Sequence, residues 1–318
     1  MTGPQLKTVT RTSGANAALK DGTVVPQGFA FDFEDVPVLV KAFRRMVRGL
    51  EFDVCEMALT TYLVAKEHGV RFTALPVFLV RDFHHGATQV LAGSDVRTPK
   101  DLEGRRVGVN RGYTVTTGVW ARAVLAQEHD VDLDAVTWVL SGDEHVESYR
   151  PPANVVPAPE GSGLEELLRR GDLAAVVGAG LEADDVVPLL PDPTEAAFTA
   201  LRTRGHYPIN HLVVVRDELL AERPELAAQV FDAFARAKQP YLERLRAGDA
   251  PTVDALTGAD RTCRRVLETT GSDPLPYGLE PNRAVLEDLL RSAVDQRILA
   301  RPVRLDDVFA QGTHDLVG

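Results

Sequence analysis

Two adjacent imidazoles, His84 and His85, stand in the run Arg81-Asp82-Phe83-His84-His85-Gly86, directly after the apolar stretch Phe72–Leu79. An imidazole titrates near neutral pH and can therefore give or take a proton under working conditions. A polar cluster at the carboxyl end of a buried strand lies where α/β folds place their ligands. Arg81 adds a planar fork of N–H donors suited to a carboxylate. The plain alternative is a loop pair that caps the turn or faces water.

A second cluster, Asn110-Arg111-Gly112-Tyr113-Thr114-Val115-Thr116-Thr117, follows one apolar run and opens a helical pattern. Free backbone N–H groups at a helix start, with the hydroxyls of Thr114, Thr116 and Thr117, suit a carboxylate. Arg111 could grip the same anion, and Tyr113 lies within the cluster; a plain N-cap with a solvated arginine is the alternative. Glu56 and Thr60-Thr61 fall at a third strand–helix junction. There a carboxylate can orient a histidine or bind a ring hydroxyl, or only complement the helix dipole. His211 lies in His206-Tyr207-Pro208-Ile209-Asn210-His211 and reads as a hydrogen bonder or a hinge residue. A divalent metal on His84, His85, His206, His211 and Glu56 is an alternative, but no H-x-x-x-H or H-E-x-x-H spacing supports it.

Other chemistries lack their signatures. There is no G-x-S-x-G elbow and no phosphate-binding G-x-x-x-x-G-K-S/T loop, and Gly178-Ala179-Gly180 lacks the glycine that a dinucleotide site needs. With only two cysteines, Cys55 and Cys263, a disulfide framework is excluded. The 318 residues carry 35 Lys and Arg against 46 Asp and Glu, a formal net charge of -11. That balance argues against nucleic acid and against an anionic membrane surface as partners. No stretch approaches the roughly 18 apolar residues of a spanning helix, and the first twenty residues lack the apolar core of a secretion signal. The expected location is the cytoplasm.

The elements that must position these residues alternate along the chain. Strands are expected at Leu6–Thr12, Gly28–Phe33, Phe52–Val54, Phe72–Leu79 and Thr88–Leu91, with helices at Val36–Gly49 and Leu59–His68. A second series has strands at Arg106–Val109, Thr137–Leu140 and Ala174–Val177. Its helices are Val115–Gln127 and Leu164–Arg170, and a further turn begins at Pro99. The Pro-rich Pro151–Gly163 reads as a loop. A strand at Leu212–Val215 then precedes helices at Asp217–Glu222, Pro224–Arg246, Gly258–Thr269, Asn282–Gln296 and Leu305–Phe309. The pattern predicts an α/β protein with mostly parallel sheets in two lobes. Lobe one comprises 1–92 and 206–318 and lobe two 93–205, with crossings near Leu91–Asp95 and Leu201–Tyr207 and a ligand cleft between the lobes.

Four segments carry a family likeness: EFDVCEMALTTYLVA at 51–65, ALPVFLVRDFHHG at 74–86, DLEGRRVGVNRGYTVTTGVWARAVL at 101–125 and DPLPYGLEPNRAVLEDLL at 273–290. Together they resemble the 4,5-dihydroxyphthalate decarboxylases, which are similar in fold to type II periplasmic solute-binding proteins. The likeness covers roughly residues 5–310. One stretch departs from it: Ser13-Gly14-Ala15-Asn16 is small and polar here, so one wall of the site differs.

The resemblance implies a two-lobed periplasmic-binding-protein type II-like fold used as a cofactor-free decarboxylase. The implied partner is a small dihydroxylated aromatic acid, and a homo-oligomer is compatible with it. On this reading His84 or His85 protonates the ring carbon, and Glu56 orients or hydrogen-bonds. Arg81 and Arg111 grip carboxylates. Tyr113, Thr114, Thr116, Thr117, Thr60 and His211 line the site. The rival is a binding protein of the same fold with no chemistry, since fold alone does not fix function.

Overall fold

The computed structural model describes residues 3–247 and 257–318. The chain divides into two compact units. Unit 1 comprises residues 1–82, 209–287 and 303–318; unit 2 comprises 83–208 and 288–302.

Unit 1 opens with β1 (Gln5–Val9), the short helix α1 (Ala17–Lys20), β2 (Ala30–Phe33), α2 (Leu39–Gly49), β3 (Val54–Ala58), α3 (Leu59–Glu67) and β4 (Phe72–Arg81). Helix α2 buries Leu39, Ala42, Phe43, Met46 and Val47, the three-and-four spacing of one apolar stripe. It stops at Leu50, whose left-handed φ of 50° lets its N–H reach the Met46 carbonyl. The sheet order is β2-β1-β3-β11-β4, where β11 is Ile209–Arg216. β1 runs parallel to β2 and β3, and β11 lies antiparallel between β3 and β4. Every residue of β3 is buried, as expected of a central strand covered on both faces.

Unit 2 contains β5 (Thr88–Leu91), β6 (Arg106–Val109), α4 (Thr116–His129), β7 (Thr137–Leu140), β8 (Val155–Pro157), α5 (Leu164–Arg169), β9 (Ala175–Val177), β10 (Val186–Pro188) and α6 (Pro193–Arg204). Its sheet order is β10-β5-β9-β6-β7-β8. The four strands β9, β6, β7 and β8 are parallel, and β5 is antiparallel to both its neighbours. Val139, Leu164, Leu167 and Val176 form part of its core. The chain then returns to unit 1 through β11, α7 (Asp217–Glu222), α8 (Leu226–Ala247) and α9 (Gly258–Thr270), and α10 (Arg283–Asp295) passes the unit boundary at residue 287.

Several expectations are corrected. The first crossing comes after Asp82 rather than near Leu91–Asp95, because β5 pairs with β9 and β10 in the second sheet. The return comes at residue 209, and residues 288–302 also belong to unit 2. The Pro-rich segment read as a loop contributes β8. It is an edge strand, where the missing N–H of Pro157 costs no ladder bond. The strand expected at Phe52–Val54 is Val54–Ala58, since Glu56 interrupts the apolar run in sequence. The last expected helix is a single 3₁₀ turn, Leu305–Asp307. α1, β10 and α6 were not anticipated.

Candidate active site

In unit 1 the carboxyl ends of β3 and β4 meet the start of the antiparallel β11. His211 stands opposite Ala58 on one side and Val80 on the other, and Ile209 stands opposite Arg81. The β11–β4 ladder shifts register between Ile209 and Val213, the local irregularity by which strands re-aim side chains. Glu56 is fully buried in β3, so its charge must be met inside the protein. One carboxylate oxygen accepts the Arg11 backbone N–H at 2.8 Å, and the other lies 2.7 Å from His211 Nδ1. That contact makes Nδ1 the N–H donor and leaves Nε2 as the second functional nitrogen. The Phe43 ring fixes the imidazole edge-on, with centroids 5.2 Å apart.

Arg81 ends β4 at the same edge and is nearly buried. Its guanidinium donates to Asn282 Oδ1 and lies over the Phe78 ring, 5.8 Å from the centroid. Asn282 in turn donates to the carbonyls of Pro276 and Gly278, at 2.9 and 2.7 Å. The PYG segment therefore anchors the arginine. Tyr277 within it is fully buried under the Lys238 ammonium. Thr60 and Thr61, in the first turn of α3, are both buried.

In unit 2 both loop histidines are inside: His84 is 3% exposed and His85 1%. His85 Nε2 sits 3.2 Å from each carboxylate oxygen of Glu128, near the end of α4. Arg204 donates to the same carboxylate. Burial alone would raise the Glu128 carboxyl, but His85 and Arg204 prevail and hold it down at about 2. His206 packs 5.3 Å from the Trp120 ring and 6.4 Å from the His85 ring, with Asp288 3.7 Å from its Nδ1. Burial is the main cause that pushes His206 down to about 4.

That value has a consequence for stability. Between pH 6.5 and 4 the unfolded chain carries a proton at His206 that the folded chain refuses. Stability contributed by this residue is complete above about pH 6.5 and is lost as pH falls towards 4, up to about 3 kcal/mol. Glu128 acts in a separate window, below its ordinary carboxyl range. A His206→Phe variant is expected to flatten the fall in melting temperature between pH 7 and pH 5; an unchanged slope would remove His206 as its source.

The second expected anion site is also formed in unit 2, with an occupant from the protein itself. Tyr113 N–H donates to Glu144 Oε1 at 2.5 Å, and the Thr114 hydroxyl to Oε2 at 2.6 Å. The Thr114 N–H adds a longer contact of 3.3 Å. A Cβ on Gly112 would lie 2.5 Å from Oε2, so a larger residue here would displace the Glu144 carboxylate. Arg111 takes a left-handed φ of 68° and donates its N–H to Ser141 Oγ. Thr116 is buried at the helix start, and Thr117 packs its methyl against Gly178. Behind them Arg122, fully buried, stacks 3.9 Å from the Tyr113 ring centroid and donates to the Tyr113 carbonyl.

The expected constellation is thus partly assembled. Glu56, His211 and Arg81 share one strand edge. His85 and the Thr114–Thr117 cluster do not share a place: Glu128, which holds His85, lies more than three turns, about 18 Å, along α4 from Thr116. Glu128, Glu144, Arg204 and Asp288 were missed in sequence. Glu128 had one readable signal, since Trp120, Val124 and Glu128 repeat every four residues on one helix face. Among the described residues no three His, Cys, Asp or Glu side chains gather as a metal site. Nor is any helix among them long and apolar enough to cross a membrane.

No family model matches the chain. Over 283 residues it is 31% identical to a 4,5-dihydroxyphthalate decarboxylase of Comamonas testosteroni, spanning 84% of each chain. Over 144 residues it is 34% identical to a 4,5-dihydroxyphthalate decarboxylase of Pseudomonas putida, 43% of this chain and 55% of that one. Among solved structures it resembles the desulfurization enzyme DSZB at a TM-score of 0.56 and 17% identity, covering 97% of this chain and 96% of that one. It also resembles a Candida albicans protein with the generic periplasmic binding protein fold, CA3427, at 0.53 and 14%, covering 100% and 99%. The Escherichia coli aliphatic sulphonate binding protein SsuA follows at 0.50 and 11%, covering 98% and 99%. These likenesses establish a type II periplasmic-binding-protein-like fold.

Proposed function

We propose that this chain, which belongs to the 4,5-dihydroxyphthalate decarboxylase family and is therefore a carboxy-lyase, releases CO₂ from a dihydroxylated aromatic acid resembling 4,5-dihydroxyphthalate. The observation that carries the site assignment is the Glu56–His211 pair: a fully buried carboxylate 2.7 Å from an imidazole at the carboxyl edge of the sheet. His211 delivers the proton through Nε2, and Glu56 fixes the tautomer and orientation. Arg81 at the same edge grips a carboxylate. Sequence reading favoured His84 or His85 as the acid. His85 lies against Glu128 in unit 2, whereas His211 shares its strand edge with both Glu56 and Arg81, and this grouping is why the role is assigned here to His211.

The chemistry needs few parts. Electron density from the hydroxyl para to the departing carboxylate flows into the ring, and the carbon bearing that carboxylate takes the proton of His211. A C–H bond forms. The C–C bond then breaks, its electron pair restores the aromatic ring, and CO₂ leaves. The imidazole is reprotonated from solvent, one proton per turnover. No electrons leave the substrate, so the reaction calls for no redox cofactor.

Turnover of 4,5-dihydroxyphthalate in D₂O is expected to yield one CO₂ per substrate and one deuterium at the vacated ring carbon. Binding of the substrate, seen as thermal stabilisation, without any CO₂ would sink this reading and favour a binding protein.

A further inference from the structure

The short helix α1 ends in a cation aimed at the back of the Glu56–His211 pair. Lys20, the last residue of α1, donates from Nζ to the Thr10 carbonyl at 2.6 Å and to the Thr12 hydroxyl at 2.9 Å. The Thr10 carbonyl and the Arg11 N–H are the two ends of one peptide group, which is planar and delocalised. The N–H end of that peptide donates to Glu56 Oε2 at 2.8 Å. One peptide dipole therefore stands between a cation at its oxygen and a carboxylate at its nitrogen, and Glu56 passes the line on to His211 at 2.7 Å. Hydrogen bonds in such a chain polarise one another.

The surroundings hold this line in place. Asn16 donates from Nδ2 to the Arg11 carbonyl at 2.8 Å and accepts the Ser13 N–H at 2.8 Å, so it holds the next peptide along, Arg11–Thr12. Lys20 lies over the Phe33 ring at 5.2 Å and is half-buried, which limits screening of its charge by salt. Glu56 and Asp35 are the acids that act on Lys20. Cys55 and Tyr277 also feel Glu56, besides His211 itself.

We propose that Lys20 is a positioning residue for the Glu56–His211 pair, acting through the Thr10–Arg11 peptide to make the pair a readier proton donor. When the pair gives up its proton it becomes one charge more negative, wherever within it the proton resided. A cation on the line favours that state. Removing the cation therefore raises the pH at which the pair titrates. The inference rests on His211 being the acid, but it is tested without turnover.

The His211 ring is followed by NMR across pH in the free protein, with its signals assigned from a His211→Asn variant. Lys20→Met is expected to move the midpoint up by about half a pH unit or more, and Lys20→Gln, which retains an amide donor without charge, by a similar amount. Lys20→Arg is expected to leave it in place. Melting curves establish that each variant is folded; should Lys20→Met not fold, the Lys20→Gln and Lys20→Arg pair decides alone. A midpoint that stays put on loss of the charge overturns the proposal, as does a shift in Lys20→Arg equal to the others. Failure of CO₂ release in the wild type would instead overturn the functional reading, leaving the titration result standing.

Discussion

Replacing His211 by asparagine is expected to lower kcat for 4,5-dihydroxyphthalate by about a hundred- to ten-thousandfold, the usual worth of a positioned general acid. The substitution is chosen for its shape. An asparagine amide can still donate to Glu56 from near the position of Nδ1, 2.7 Å from the carboxylate. The buried charge of Glu56 thus keeps a partner and the fold is preserved. What is lost is Nε2 and its proton. Glu56→Gln should cost less, roughly ten- to a hundredfold, because the imidazole remains but its tautomer is no longer imposed by an anion. His85→Asn is the informative comparison. Should its turnover collapse while that of His211→Asn stays within threefold of wild type, the acid lies in the loop after β4 and the present assignment is wrong.

The second large effect concerns stability. Lys238 lies in the middle of α8 with its side chain fully buried. Its ammonium meets Asp273 at 2.6 Å, the Leu275 carbonyl at 2.6 Å and a main-chain oxygen of Gly318 at 2.9 Å. It also stacks 4.2 Å from the Tyr277 ring. Burial lowers the lysine and Asp273 opposes that effect, so loss of Asp273 removes the charge that offsets the burial of the ammonium. Asp273→Ala removes the side-chain carboxylate and leaves the buried cation facing main-chain oxygens. The expected loss is about 3 kcal/mol or more, read as a drop in the unfolding midpoint in urea. A Lys238→Met, Asp273→Ala double variant should recover much of it, because a buried pair replaced by apolar groups costs little. A single variant as stable as the wild type would mean that the main-chain oxygens and the ring suffice.

Much of the scaffold was legible because its signals are local. Thr88–Leu91, Arg106–Val109 and Thr137–Leu140 are short β-rich runs closed by turn residues, and the strands occupy those bounds. The spacing of Val40, Phe43 and Val47 announced α2. The site was legible by residue type more than by partner. Glu56 was singled out as a carboxylate that could orient a histidine, but that its partner is His211 depends on β11 lying beside β3, and the two residues are 155 apart. The pairing of His85 with Glu128 and of the Gly112–Thr114 cradle with Glu144 likewise joins residues that no periodicity connects. A polar histidine pair reads as loop until its burial is known. Lys20 escaped notice because a four-residue helix has no period to detect.

The place of β11 in the first sheet bears on how the protein must be made. β4 is bordered by β11, and β3 needs β11 to complete its second side. Yet β11 begins at Ile209, after the whole of the intervening 83–208 segment. During synthesis the ribosome therefore releases four strands of the first sheet well before the strand that seals them. Those open edges wait while about 125 further residues emerge, on the order of ten seconds at ordinary elongation rates. Unpaired edges are templates for aggregation, so nascent chains cut short before Arg216 should be the stickiest products of this gene.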